Sequence, residues 1–323
     1  MANRRSVFPC VLMLNLILLV LFMLDTYPYP TLSQKDPIQP FGFFKQLEGS
    51  HKGERVRGLH QAKQYLKQFG YLNVRSRHDY DDEFDDVLES AIKTYQLNYN
   101  LETNGILDTP TVKQMMMPRC AVPDIARDGT TSMKSGMKHH QHDHGKHNGS
   151  FHVVSHYSFF PGNPKWPPEK MELVYRFHSS AVANVGPLTL QSACTRALSS
   201  WAAVSNFRFR VPASFLERND ILIGFHRFFH GDGNPFDGPL GVLAHAYAPQ
   251  SGATHLDADE RWSTNPDQNM IDLETVCLHE LGHVLGLGHS SDTNAVMFPS
   301  IAGGQKKRTP MADDINGIRA LYI

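Results

Sequence analysis

The chain has 323 residues, a net charge of −1 at neutral pH and 20 % charged side chains. That length accommodates about two domains beside any targeting segment. The near-neutral balance gives no electrostatic case for a nucleic-acid partner, and four cysteines are too few for a disulfide scaffold.

Arg4 and Arg5, followed by an apolar run from Val7 to Leu24, have the order of a secretory signal peptide, read over residues 1–26. A signal-anchor helix is the alternative, because the run is long and no small-residue cleavage site follows it. Both readings deliver the rest of the chain outside the cytosol. Residues 27–51 begin with a Pro-rich patch and read as linker. Helical apolar stripes then fill 52–117. Val56, Leu59, Ala62, Tyr65, Leu66 and Phe69 share one face, and Gly70 stops that helix. Phe84, Val87, Leu88, Ala91, Ile92 and Tyr95 repeat the pattern. A third helix starts after Asp108 or Thr109, with Pro110 at an early position. Such stripes predict a small packed bundle.

Residues 127–150 are polar and lack apolar periodicity, so they read as a mobile linker. His139, His140, His142, His144 and His147 fall here as solvated histidines, and Asn148-Gly149-Ser150 is an N-glycosylation acceptor. From 151 to 323 strands and helices mix. Strands are expected over 170–177, 206–211, 221–225 and 241–247, and helices over 188–204, 272–287 and 311–323.

The stretch HELGHVLGLGH, His279 to His289, concentrates the chemistry. Each helical residue turns by ~100°, so His279 and His283 lie on one face and can grip one metal ion. Glu280 is too far round to be a third ligand but can reach water at the metal. His289 could not join them on a continuous helix, so the helix has to end at Gly286, which tolerates the left-handed turn. Three histidines with one open position suit a catalytic zinc. Met297 follows eight residues after His289. The pattern resembles the metzincin metalloproteases, H-E-x-x-H-x-x-G-x-x-H followed by a Met-turn. Ser290 after the third histidine is similar to the matrix metalloproteinase branch. The resemblance implies an α/β (α+β) catalytic domain over 151–323, with a twisted mixed sheet and an active-site helix. The NGILDTPT turn gives the bundle before it a peptidoglycan-binding-like appearance, that of a small all-α prodomain.

If Cys10 leaves with the leader, Cys120, Cys194 and Cys277 remain, and the odd count points to a thiol with another task. Cys194 and Cys277 read as core positions on helices. Cys120, in the PRCAVPD that opens the segment 118–126, can fill the open zinc position of a latent form, and resembles the cysteine switch P-R-C-G-x-P-D. Arg119 and Asp124 match that pattern as an ion pair. Ala121 replaces the glycine and would be strained if the position needs positive φ.

Three histidines and a carboxylate, His230, Asp232, His245 and His255, suit a structural zinc, and the resemblance covers all four. Asp237, Asp257 and Glu260 add hard oxygens for calcium; the resemblance adds the carbonyls of Gly238, Leu240 and Val242. Asp220 matches a second calcium position through its carbonyl, but the PQSGATH loop is shorter than in the family and lacks its aspartate. YSFFPGNPKW looks like the start of the catalytic domain of plant members. It places the mature N-terminus at or near Tyr157, whose ammonium the resemblance docks on Asp313. No hemopexin-like repeats follow before Ile323, so collagen unwinding through an exosite is not expected.

The resulting expectation is a secreted, monomeric zinc- and calcium-binding endopeptidase. It is made as a zymogen, cut by an activating protease, and acts on protein or peptide substrates. Two other readings compete: a catalytically weak binding protein using the bundle, and a different zinc hydrolase such as an amidase. Glu280 speaks against the first. Met297, the third histidine and Cys120 speak against the second.

Overall fold

The computed structural model describes residues 39–72, 81–133 and 155–323. The leader, the five histidines of the polar stretch and Asn148 lie outside the described residues. Among the described residues, no helix is long and apolar enough to cross a membrane.

Three helices build the N-terminal bundle: α1 (Leu59–Gln68), α2 (Asp86–Asn98) and α3 (Thr109–Met115). Their apolar stripes meet, burying Leu59, Leu66, Leu88, Ile92, Val112 and Met115. Asp85 and Asp108 cap α2 and α3 by accepting from the Leu88 and Thr111 amides, each satisfying one of the free donors of a first turn. Gly70 ends α1 at φ +88° and lies so close to the Ile125 carbonyl that a Cβ would overlap it.

Two linker expectations are corrected. Gly42–Leu47 form a 3-10 helix whose Phe44 and Leu47 are fully buried in the bundle core. Residues 127–133 are also fastened: Ser132 donates its amide to the Asp124 carbonyl at 2.7 Å, and Met133 is buried. Burying three aromatic and aliphatic side chains from 41–47 repays the ordering of that short segment.

The second half is a mixed sheet backed by helices. Strands β1 (Arg119–Cys120), β2 (Glu172–Phe177), β3 (Arg208–Arg210), β4 (Ile221–His226), β5 (Val242–Ala246) and β6 (Ala253–Asp257) lie in the order β1-β5-β6-β4-β2-β3. Only β5 and β6 pair antiparallel, with His245 opposite His255. A small pair, β7 (Trp262–Ser263) and β8 (Ile271–Asp272), leads into the motif helix. Helices α4 (Pro187–Ala202) and α5 (Leu273–Val284) pack on each other, and α6 (Ala312–Tyr322) closes the domain.

Strand β6 was not expected. Its residues read as a ligand-bearing loop because Gly252 and the polar run before it mask a five-residue strand. The reading of Cys194 and Cys277 as simple core residues is also corrected: they form a disulfide joining α4 to α5, with Cα atoms 5.3 Å apart. Cys120 alone is a free thiol among the described residues. The bundle core takes in Phe236, Val242 and Phe298 of the catalytic half, while the sheet and its helices enclose a second, separate core.

Candidate active site

Helix α5 is capped by Asp272, whose carboxylate accepts from the Thr275 amide and hydroxyl. It carries His279 and His283 on one face and ends at Val284. Gly286 has φ +101°, and a Cβ there would collide with the Pro164 carbonyl, so the turn requires glycine. The chain then doubles back and brings in His289. One donor atom each from Cys120, His279, His283 and His289 lies within 4.8 Å of every other, and all four residues are buried.

Hydrogen bonds set the ring orientations. His279 Nδ1 meets the Val296 carbonyl and His283 Nδ1 the Leu287 carbonyl, each at 2.8 Å, so both rings hold their proton on Nδ1. Their Nε2 lone pairs therefore face each other 3.1 Å apart with no proton between them. His289 Nε2 is buried without a partner. Burial, with the mutual repulsion of the rings, holds His279 down to about 3 and His283 well below its ordinary value. Three neutral, converging lone pairs are a site for a cation, and the all-imidazole set with a thiol suits zinc.

Cys120 Sγ is 3.5 Å from His283 Nε2. Burial and the adjacent Glu280 carboxylate push its thiol pKa well up, so only a bound metal dication would keep it a thiolate. Both Glu280 oxygens are buried and unpartnered apart from that thiol, and burial raises the carboxyl to about 8.

The switch segment lies across the cleft as a strand. Arg119 N donates to the Gly241 carbonyl and Ala121 N to the Ala244 carbonyl of the β5 side. Cys120 N donates to the Pro299 carbonyl, and Ile301 N to the Pro118 carbonyl, on the other wall. Ala121 is not in a left-handed conformation, so the strain expected there does not arise.

Asp124 is the hub behind the switch. It is fully buried, with Oδ1 2.7 Å from Arg119 Nη2 and 2.9 Å from His289 Nδ1. Its Oδ2 accepts from the Tyr71 hydroxyl at 2.8 Å and the Tyr99 hydroxyl at 3.2 Å. Burial opposes ionisation, yet Arg119 and His289 hold the carboxyl far below its usual range. Arg119 in turn stacks over Phe69, 3.5 Å from the ring centre. The bundle, the switch and the third motif histidine thus meet on one carboxylate.

Met297 lies beneath the motif helix, against Gly282, where a Cβ would overlap its sulfur. Asp314 accepts from the Val296, Met297 and Met311 amides and so braces that turn. Neither Gly282 nor Asp314 was singled out for this; the signal was present in the GHVLG spacing and in the Asp313-Asp314 pair. Asp313 accepts from the His156 amide at 2.9 Å and the Ser290 hydroxyl at 2.7 Å. The segment expected to begin the mature enzyme is therefore seated on Asp313, one residue ahead of Tyr157.

The structure brings the four residues of the second cluster together. His230 Nε2, His245 Nε2, His255 Nδ1 and Asp232 Oδ2 lie within 4.8 Å of one another. His230 presents Nε2 because its Nδ1 meets the Phe228 carbonyl at 2.8 Å. Nearby, Asp237 Oδ1 accepts from Val242 N and Glu260 Oε1 from Leu240 N. Asp257 Oδ2 and Glu260 Oε2 are buried with no partner. Burial raises Asp237 and Asp257 to about 6 and Glu260 to about 9. Leu240 is held at φ +68° between them. Asp220 differs: its carboxylate serves Lys170 at 2.5 Å and the Val174 amide at 2.9 Å.

Residues 165–323 match the Matrixin family of peptidases, and residues 56–115 match a peptidoglycan binding domain. The chain is 43 % identical over 288 residues to Metalloendoproteinase 5-MMP of Arabidopsis thaliana, covering 86 % of this chain and 75 % of that protein. To Metalloendoproteinase 1 of Glycine max it is 42 % identical, with 84 % of each chain covered. To Matrilysin of Homo sapiens it is 36 % identical, covering 81 % of this chain and 84 % of that one. With three histidines converging on one metal position beside a buried glutamate, the chain belongs to the matrixin family of matrix metalloproteinases and is a zinc metalloendopeptidase.

Proposed function

We propose that the protein is a secreted endopeptidase, made as a latent zymogen, that hydrolyses peptide bonds of extracellular or cell-wall proteins. The observation that carries this reading is the Cys120 sulfur at the shared focus of His279, His283 and His289. These three histidines hold the catalytic zinc. When bound, that ion supplies a Lewis acid for the scissile carbonyl and acidifies the attacking water. Glu280 takes the proton of the water as its oxygen bonds to the carbonyl carbon, and returns it to the amine as the C–N bond breaks. Met297 floors the site.

In the latent chain, the bundle and switch fill the cleft and deny water to Glu280. An activating protease cuts at or within a few residues of Tyr157, and Asp313 receives the new ammonium. His230, Asp232, His245 and His255 hold a structural zinc. Asp237, Asp257 and Glu260, with the carbonyls of Gly238, Leu240 and Val242, hold calcium; the orphaned buried oxygens support that assignment. Asp220, expected to ligate through its carbonyl, is left out of this set because the PQSGATH loop lacks the aspartate that would complete a second calcium site.

Casein or gelatin cleavage tests the reading. The precursor is expected to be silent, to be opened by a thiol-modifying reagent, and to be silenced again by a zinc chelator. Activity of the untreated precursor equal to the treated one would sink the latent-zymogen reading.

A further inference from the structure

The loop joining β3 to β4 carries two strongly exposed apolar side chains. Phe215 is 88 % exposed and Leu216 89 % exposed, and Val211 beside them is 60 % exposed. Adjacent large apolar residues at this exposure are costly in water and, when presented together, mark an interaction site.

The loop is braced rather than loose. Arg176 Nη2 donates to the carbonyls of Ser214, Phe215 and Glu217 at 3.5, 3.3 and 3.1 Å. Its guanidinium also lies 5.6 Å from the Phe215 ring centre. Glu217 is pinned by Arg210 and by the Ala213 amide, which donates at 2.6 Å. Both feet of the loop are thereby tied to the sheet, and the tip is held out with its apolar pair projecting. Glu172 and Glu217 are used up on Arg210. Arg208 and Arg218 are exposed and, among the described residues, carry no ion pair. Arg176 meets the loop carbonyls, the Phe215 ring and the charge of Glu217.

We infer that this tip is a docking surface for an anionic lipid bilayer. The chemistry is complementary on both counts: the apolar pair enters the acyl boundary, and the exposed Arg208 and Arg218, which flank the loop in sequence, meet the headgroup charge. A braced and exposed apolar pair fits a bilayer, which receives apolar side chains without a shaped recess. A protein partner would need a matching pocket. The placement is compatible with catalysis, because β3 lies at the edge of the sheet opposite the cleft strand β5. Docking through the tip leaves the cleft open. The peptidase reading does not depend on this inference.

A tryptophan placed at the tip reads the contact directly. Trp166, Trp201 and Trp262 are at most 3 % exposed, so in Phe215→Trp the new indole is the solvent-facing reporter. The full chain is mixed with phosphatidylcholine vesicles containing about 30 % phosphatidylserine. The indole emission is expected to shift to the blue and to be quenched by brominated acyl chains. Omitting phosphatidylserine is expected to weaken partitioning at least about tenfold. Arg208→Gln and Arg218→Gln are each expected to weaken it about fivefold, and Leu216→Ser at least about tenfold. Peptide hydrolysis by the activated enzyme should be unchanged in Phe215→Ser/Leu216→Ser, which separates this inference from the peptidase reading. An indole that stays unshifted and unquenched overturns the inference, even if the chain is captured by vesicles through another segment. So does quenching that is indifferent to Leu216→Ser and to both arginine substitutions.

Discussion

Replacing Asp124 by asparagine removes one negative charge from a place where nothing else can supply it. Arg119 and Asp124 are both fully buried, and the same carboxylate serves His289, Tyr71 and Tyr99. The amide keeps an acceptor for the tyrosines but leaves the Arg119 guanidinium inside the protein uncompensated. Breaking a buried pair from one side costs about 3–5 kcal/mol. Asp124 lies on the switch and Arg119 beside Cys120, so the cost falls mainly on the docked state of the prodomain. When the switch leaves the cleft, Arg119 regains water. That free energy corresponds to a rise in the open population of about a hundredfold to a few thousandfold. The assay is hydrolysis of a quenched fluorescent peptide by the uncut precursor, with electrophoresis confirming that no cut has occurred. The Asp124→Asn precursor should turn over substrate at least about a hundred times faster than the parent. A folded Asp124→Asn precursor as silent as the parent would refute the reasoning, and would mean that Cys120 and bulk alone close the cleft.

Glu280→Ala should retain zinc by elemental analysis yet lose roughly 10²–10⁴-fold in turnover after activation; near-native turnover would remove its assigned role. Removing the α4–α5 tie with Cys194→Ala/Cys277→Ala should lower the unfolding free energy by about 2–4 kcal/mol, seen as a lower urea midpoint. An unchanged midpoint would show that the disulfide does not constrain the unfolded chain. The carboxylates around Leu240 give a pH signature. Without a cation, Asp237 and Asp257 are raised to about 6 and Glu260 to about 9. A raised acid binds its proton more tightly when folded, so its contribution to stability is full below the unfolded pKa and is lost as pH rises through the folded one. The calcium-chelated protein should therefore melt progressively lower between about pH 5 and pH 9, and added calcium should restore most at the alkaline end. Equal calcium effects at both ends would contradict the site.

Much of the site was legible because it is local. The four-residue spacing of His279 and His283 places both on one face of α5, and Gly286 announces the turn that returns His289. The apolar stripes of α1 and α2 fixed the bundle for the same reason. What was not legible is set by distance in space. Cys194 and Cys277 are 83 residues apart, and nothing in either helix says that they face each other. Gly42–Leu47 looked like linker because six residues in a Pro- and Gly-rich setting carry too little periodicity, while its aromatics find their partner only in α1. Gly282 reads as a poor helix residue until Met297 is seen against it. The Asp124 hub draws on Tyr71 and Tyr99, 53 and 25 residues away along the chain, and no local pattern joins them to it.

On the proposed latent reading, the Cys120 thiol completes the coordination of a zinc held by His279, His283 and His289. X-ray absorption at the zinc edge measures it in the intact precursor and in the activated enzyme. The precursor should show a sulfur neighbour at ~2.3 Å, about one for every two zinc ions if the second cluster is filled. The activated enzyme, like a Cys120→Ser precursor, should show nitrogen and oxygen neighbours alone. A precursor whose zinc has no sulfur neighbour, or an activated enzyme that keeps one, would contradict the account.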